Sequence, residues 1–232
     1  MIVPIGDINE RNRTPYVNCT FIAVNVLVYL FFIAGPELRL CPDYETVVKT
    51  WGFIPAHAAL LNAFTSCFLH GGFFHLLGNM IFLWIFGDNV EDAIGHIGYA
   101  LFYLAGGIGA AYFHGALVAG TAAAGLPAIG ASGAISAVMG AYLVFFPRNK
   151  IVYWYLIWYT SGTFKVASGW AIGFWFVMQF VSNYFENDRT FSGVAYGAHL
   201  GGFILGAVVG GVLLISGIVK GKWDRNEDPQ YW

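Results

Sequence analysis

The chain has 232 residues, of which 58% are hydrophobic, 18% aromatic and 10% charged, where a soluble domain carries about 25% charged residues. With a mean hydropathy of +0.64, this deficit excludes an ordinary soluble domain and places the chain among membrane proteins. The formal net charge of −2 offers no basic surface to a nucleic-acid partner.

Residues 1–16 read as a polar tail carrying Asp7, Glu10, Arg11 and Arg13, without the apolar core of a cleavable signal peptide. Apolar runs follow at 17–34, 73–87, 98–119, 131–147, 168–185 and 194–218. A helix needs about 20 apolar residues to cross the hydrocarbon, so these runs predict six spans, the second and fourth short. The connection 35–72 holds Trp51, Phe53, Pro36, Pro42 and Pro55. It is too aromatic for a solvated loop and is expected to rest on the outer leaflet. The stretch 151–164, IVYWYLIWYTSGTF, is predicted to lie at the membrane interface, where Trp and Tyr are favoured, as a connection and not a seventh span. Cys19, Cys41 and Cys67 show no metal-site or CxxC spacing, and a Cys41–Cys67 disulfide is not favoured.

Six spans place both termini on one side. Arg11, Arg13, Arg148, Lys150, Lys165, Lys220, Lys222 and Arg225 fall on that side, against Arg39, Lys49 and Arg189 on the other. The positive-inside rule therefore puts the termini in the cytoplasm. The expected organisation is an all-α membrane domain over 17–218 between cytoplasmic tails at 1–16 and 219–232.

Polar side chains inside spans are costly and mark functional sites by default. His75 and Asn79 open the second span, Ser132 and Ser136 the fourth, and His199 the sixth. These three spans run inward from the outer side. Each polar residue lies within about two turns of the outer end, so all share one depth to within roughly 10 Å. Gly202, Gly206 and Gly210 lie within about 60° of His199 around its helix. Ser132, Ser136 and Gly140 give the fourth span a matching small face. Small faces let helices approach closely, so Ser132 and His199 are expected within hydrogen-bond reach.

A neutral histidine activates a serine hydroxyl by taking its proton. No carboxylate falls in the apolar runs to orient the histidine. Asp88, Glu91 and Asp92 lie about 20 Å further in, and Glu186 and Asp188 belong to the outer loop before the sixth span. The economical reading is a Ser132–His199 dyad. Its oxyanion would be met by the backbone N–H of Ser132, at a glycine-flanked helix start, and by His75 and Asn79, which share one helix face. His70 reads as a satisfied interfacial histidine, and Asn18 and Asn25 as bonds between helices. A zinc site on His70, His75 and His199 is disfavoured, because no HExxH and no nearby Cys or carboxylate accompanies them. A carrier would place its polar site near the span centres, whereas this cluster lies near the outer ends.

GASG at 130–133, HGGFFHLLGN at 70–79 and GAHLGGFILG at 197–206 together resemble the rhomboid family of intramembrane serine proteases. The likeness extends from about residue 14 to 218. Its specificity lies in HxxxN, GxSG and AHxxGxxxG falling on the second, fourth and sixth spans in that order. The resemblance implies a six-transmembrane-helix bundle with Ser132 as nucleophile and His199 as general base. It implies His75 and Asn79 as oxyanion-hole donors, hydrolysis of single-span membrane proteins near the outer surface, and no metal or nucleotide cofactor. The connection 35–72 would be the family's lateral loop, and NYFENDRTFSG at 183–193 a cap over the site. The alternative is a non-catalytic relative that binds client transmembrane helices. Two departures stand out. Some members carry an aromatic residue four after the nucleophile that stacks on the base; here it is Ser136, so a stacking partner must come from elsewhere. The Trp-Arg pair of some lateral loops is also missing. Short tails favour a prokaryotic plasma membrane.

Overall fold

A computed structural model describes residues 1–9, 12–185 and 194–219. Its helices are α1 (Tyr16–Ala34), α2 (Tyr44–Trp51), α3 (Leu60–Thr65), α4 (Phe73–Ile94), α5 (His96–Leu117), α6 (Ser132–Phe145), α7 (Ser168–Phe185) and α8 (Tyr196–Ile215). Four of them, α1, α4, α5 and α8, are long and apolar enough to cross a membrane. The connection 35–72 folds into α2, α3 and two short 3-10 turns at Pro55–His57 and Ser66–Phe68. The C-terminal tail from 220 and the loop residues 186–193, with Glu186 and Asp188, lie outside the described residues.

The core is built around α6. Of its 14 residues, Gly133 to Tyr142 and Phe145 are buried, because α4, α5 and α8 pack around it. At 1.5 Å per residue it is about 21 Å long, short of the roughly 30 Å of hydrocarbon. The contact with α8 is backbone on backbone. A Cβ added at Gly206 would meet Ala137 O, and one at Gly140 would meet Phe203 O at 2.2 Å. Only glycine permits this approach.

The second apolar run does not end at 87. It continues as helix to Ile94, and Gly95, at φ +78°, closes α4 and opens α5. The acidic stretch that follows the run is thus helical, and α4 carries Asp88, Glu91 and Asp92 at its end. Glu91 is fully buried. Its carboxylate accepts the N–H groups of Val17 (3.0 Å) and Asn18 (2.7 Å) and pairs with His96 Nδ1 at 2.6 Å. It caps the first turn of α1, whose own N–H groups have no intrahelical partner. Asn18 in turn donates to Leu83 O and accepts from Tyr99 OH, while Asn25 donates back to Phe21 O of its own helix.

The all-α expectation is corrected by a three-stranded antiparallel sheet, β1 (Ile2–Asp7), β2 (Lys150–Ile157) and β3 (Thr160–Ala167), in that order. The aromatic connection is a hairpin, and the start of the supposed polar tail is its third strand. The cause is composition. KIVYWYLI and TSGTFKVA are rich in β-branched and aromatic residues, which suit a pleated surface, and IVPI supplies an apolar edge to pair with them. Asp7 anchors the sheet. One of its oxygens accepts from Tyr142 OH (2.6 Å), Asn149 Nδ2 (2.7 Å) and Asn89 Nδ2 (2.9 Å). Burial pushes this carboxyl up from 3.8 to about 6, with the charge of Asp88 adding and the bonds from Tyr142 and Asn149 opposing. The three cysteines are free thiols.

Candidate active site

Ser132 is the first residue of α6. It follows Gly130, at φ +124°, a backbone state that only glycine adopts without strain. A side chain at 130 would also collide with His75, since a Cβ there would stand 2.8 Å from His75 Nε2. The glycine thus serves the turn into α6 and the closeness of His75.

Ser132 Oγ lies 2.8 Å from His199 Nε2. They meet because α8 lies directly on α6. A Cβ at Gly202, one turn below His199, would stand 2.2 Å from Gly133 O. The other ring nitrogen, His199 Nδ1, lies 2.8 Å from Gln179 Oε1 on α7. A carbonyl oxygen only accepts, so it holds the proton on Nδ1 and leaves Nε2 free to accept from the serine. The His199 ring lies beside Trp175 of α7, with centroids 5.9 Å apart and planes at 32°, and edge-on to Tyr196 at 6.1 Å. Trp175 brings beside His199 the aromatic ring that position 136 lacks, tilted against the imidazole and not stacked on it. Ser136 instead donates to Ser132 O at 2.6 Å, and its small side chain leaves room for α8.

His75 sits on the first turn of α4. Its Nδ1 accepts the N–H of Gly71 at 3.3 Å, so the neutral ring carries its proton on Nε2, the nitrogen beside Gly130. Asn79, one turn on, donates one amide hydrogen to His75 O at 3.0 Å. His70 packs edge-on against His75, with centroids 5.2 Å apart. It is not the satisfied interfacial residue expected: it is buried, and neither ring nitrogen has a hydrogen-bond partner among the described residues. Burial, with His75 alongside, pushes its ring down to about 4.

Ser132, His199, His75 and Asn79 all line one cavity of about 650 Å³. Its walls are Gly71 to Phe74 and Gly78 of α4 and the preceding turn, and Phe82, Met139 and Trp175 close it below. A serine hydroxyl bonded to a neutral imidazole, beside further side chains that carry N–H groups and line the same cavity, can carry out acyl transfer.

Gln179 and Trp175 were missed in the sequence. Gln179 had a signal: it is the only amide or charged side chain between Ser168 and Val181 in the fifth apolar run, and an intramembrane polar residue is a functional hypothesis by default. Trp175 had none, among so many aromatic residues.

A family profile described as Rhomboid domain matches residues 57–216. The chain is 32% identical over 152 residues to RHOMBOID-like protein 6, mitochondrial, of Arabidopsis thaliana, covering 65% of this chain and 43% of that protein. It is 28% identical over 172 residues to Rhomboid protein 1, mitochondrial, of Saccharomyces cerevisiae, covering 70% and 46%. Presenilin-associated rhomboid-like protein, mitochondrial, of Homo sapiens is 29% identical over 140 residues, covering 60% and 35%. The match thus spans less than half the length of each of these relatives.

Proposed function

The chain belongs to the rhomboid family, and on that premise we propose that it is an intramembrane serine endopeptidase that cuts single-span membrane proteins with a Ser132–His199 dyad. The observation that carries this reading is the 2.8 Å bond between Ser132 Oγ and His199 Nε2, with Nδ1 committed to Gln179. In the first half-reaction Ser132 Oγ attacks the scissile carbonyl carbon and its proton passes to His199 Nε2. The tetrahedral oxyanion accepts from the Ser132 N–H, His75 Nε2–H and the second amide hydrogen of Asn79. The C–N bond then breaks as the imidazolium returns the proton to the leaving amine. Water attacks the acyl-enzyme by the same route in reverse. Gln179 holds the ring in the working tautomer throughout. It is neutral, so it stabilises the imidazolium less than a carboxylate would.

In this reading α6 and α7 also cross the membrane, giving six spans. The termini share one side, which the sequence reading takes as the cytoplasm, and the cavity opens to the other side, where Ser132 opens the short α6. The membrane domain covers 17–218. The relatives whose names give a location are mitochondrial, which does not favour the prokaryotic plasma membrane expected from the tails. We retain the multi-pass membrane placement alone.

The test is cleavage of a generic single-span substrate in liposomes by the wild type, Ser132→Ala and His199→Ala. Cleavage by the wild type only supports the dyad. Equal cleavage by all three overturns it. If none cleaves and a fluorophosphonate fails to label Ser132, the family member is a non-catalytic binder of transmembrane helices.

A further inference from the structure

The sheet is placed where a solvated sheet would not be. Asp7, at the end of β1, is bonded to Asn89 near the C-terminal end of α4. Going back along the strand, Val3, Pro4 and Ile5 face Met80, Ile81 and Trp84 across a groove of about 410 Å³. These α4 residues are one to three turns nearer the middle of a helix long and apolar enough to span the membrane. β1 therefore runs from the end of α4 back towards the hydrocarbon. Residues Ile2 to Asp7 pair with Ile151 to Tyr155, so β2 and its turn continue in that same direction.

The side chains follow the same gradient. The side-chain charges of the three strands, Asp7, Lys150 and Lys165, sit at the end tied to α4 and α6. The opposite end is Leu156, Ile157, Trp158 and Tyr159. Trp158 is 89% and Tyr159 99% exposed. Trp158 also sits at φ +55°, a left-handed turn position that favours Asn or Gly and strains a bulky residue. An indole held in a strained turn and touching almost nothing in its own chain points to a surface outside the chain.

We propose that the β2–β3 turn is a membrane anchor, with Trp158 and Tyr159 inserted into the lipid of the bilayer that α4 spans. The occupant is lipid, for three reasons. The strand climbs beside a membrane-spanning helix, so the apolar end meets the same bilayer. Trp and Tyr are large aromatic side chains whose apolar bodies favour lipid over water. From Leu143 to Phe185 there is no acidic residue, while Arg148, Lys150 and Lys165 lie at the base of the hairpin, where anionic headgroups attract them. The anchor ties the α6–α7 connection to the bilayer and so holds the start of α7, the helix that carries Trp175 and Gln179 to His199. This last consequence rests on the proposed dyad; the anchor itself does not.

The test uses the full chain in phosphatidylcholine vesicles with bromine on the acyl chains, which quenches tryptophan on contact. The wild-type emission minus that of Trp158→Phe isolates Trp158. Subtracting the emission of Trp84→Phe isolates Trp84, which is half-exposed on α4. The Trp158 signal is expected to fall about two-fold or more in brominated lipid and to resist aqueous iodide. Quenching of Trp158 by iodide and not by bromine, with Trp84 quenched by bromine, overturns the anchor, leaves the membrane reading intact and turns the hairpin towards a water-borne partner. Neither tryptophan responding to brominated lipid would overturn the membrane placement itself.

Discussion

Substituting Gly202 by valine leaves both proposed catalytic residues in place and attacks only their spacing. A Cβ at 202 would stand 2.2 Å from Gly133 O and 3.2 Å from Ser136 Cβ. The first obstacle is backbone in the first turn of the buried α6 and has no rotamer to yield. Ordinary contact begins at 3.4 Å, so α6 and α8 must part by about 1 Å in this close-packed core. The Ser132–His199 bond lies one turn away. Opening it by that amount from 2.8 Å takes it beyond hydrogen-bond range. A misplacement of about 1 Å lowers a rate by about 10²-fold. The assay is the initial rate of substrate cleavage in liposomes, with the rate of fluorophosphonate labelling of Ser132 as a substrate-independent readout. Gly211→Ala is the control, since a Cβ there meets nothing within 4 Å, and both rates should be unchanged. A folded Gly202→Val protein that cleaves and labels at the wild-type rate would refute the reasoning that backbone contact sets the geometry of the pair.

Gln179→Leu removes the acceptor at His199 Nδ1 and should lower kcat about ten-fold, as one lost hydrogen bond implies, with KM unmoved; a KM effect alone would assign Gln179 to substrate binding. His75→Ala should lower kcat by about 10²-fold through loss of an oxyanion donor, and Asn79→Ala by less, because half of its amide is bonded to its own helix. Glu91→Ala strips the cap from α1 and leaves the N–H groups of Val17 and Asn18 unpaired, a loss of about 2–4 kcal/mol measurable by denaturant titration in detergent. For Asp7, whose folded value near 6 lies above 3.8, the native state binds the extra proton between those values. The docked sheet should be strongest below that window and weaken as pH rises through it. Its protease resistance should thus be higher at about pH 4 than at about pH 7, and Asp7→Asn should flatten the difference.

The sequence alone determined the membrane class, the positions of the apolar helices and the identity of the polar residues at one depth, because hydropathy and helical spacing are local properties of the chain. The glycine stripe below His199 was legible for the same reason: residues at i, i+3 and i+7 share a face whatever surrounds them. Tertiary structure decided what depends on which faces meet. A lone glutamine in the fifth apolar run has no evident partner until α7 lies beside α8 and brings it to His199 Nδ1. Glu91 looks like a loop charge until the helix is seen to run on and the first turn of α1 is placed over it. Apolar residues 2–5 and the aromatic run 151–164 are far apart in sequence, and neither shows the helical period. Only their pairing makes them a sheet, since a strand takes its hydrogen bonds from a distant segment while a helix takes them from itself.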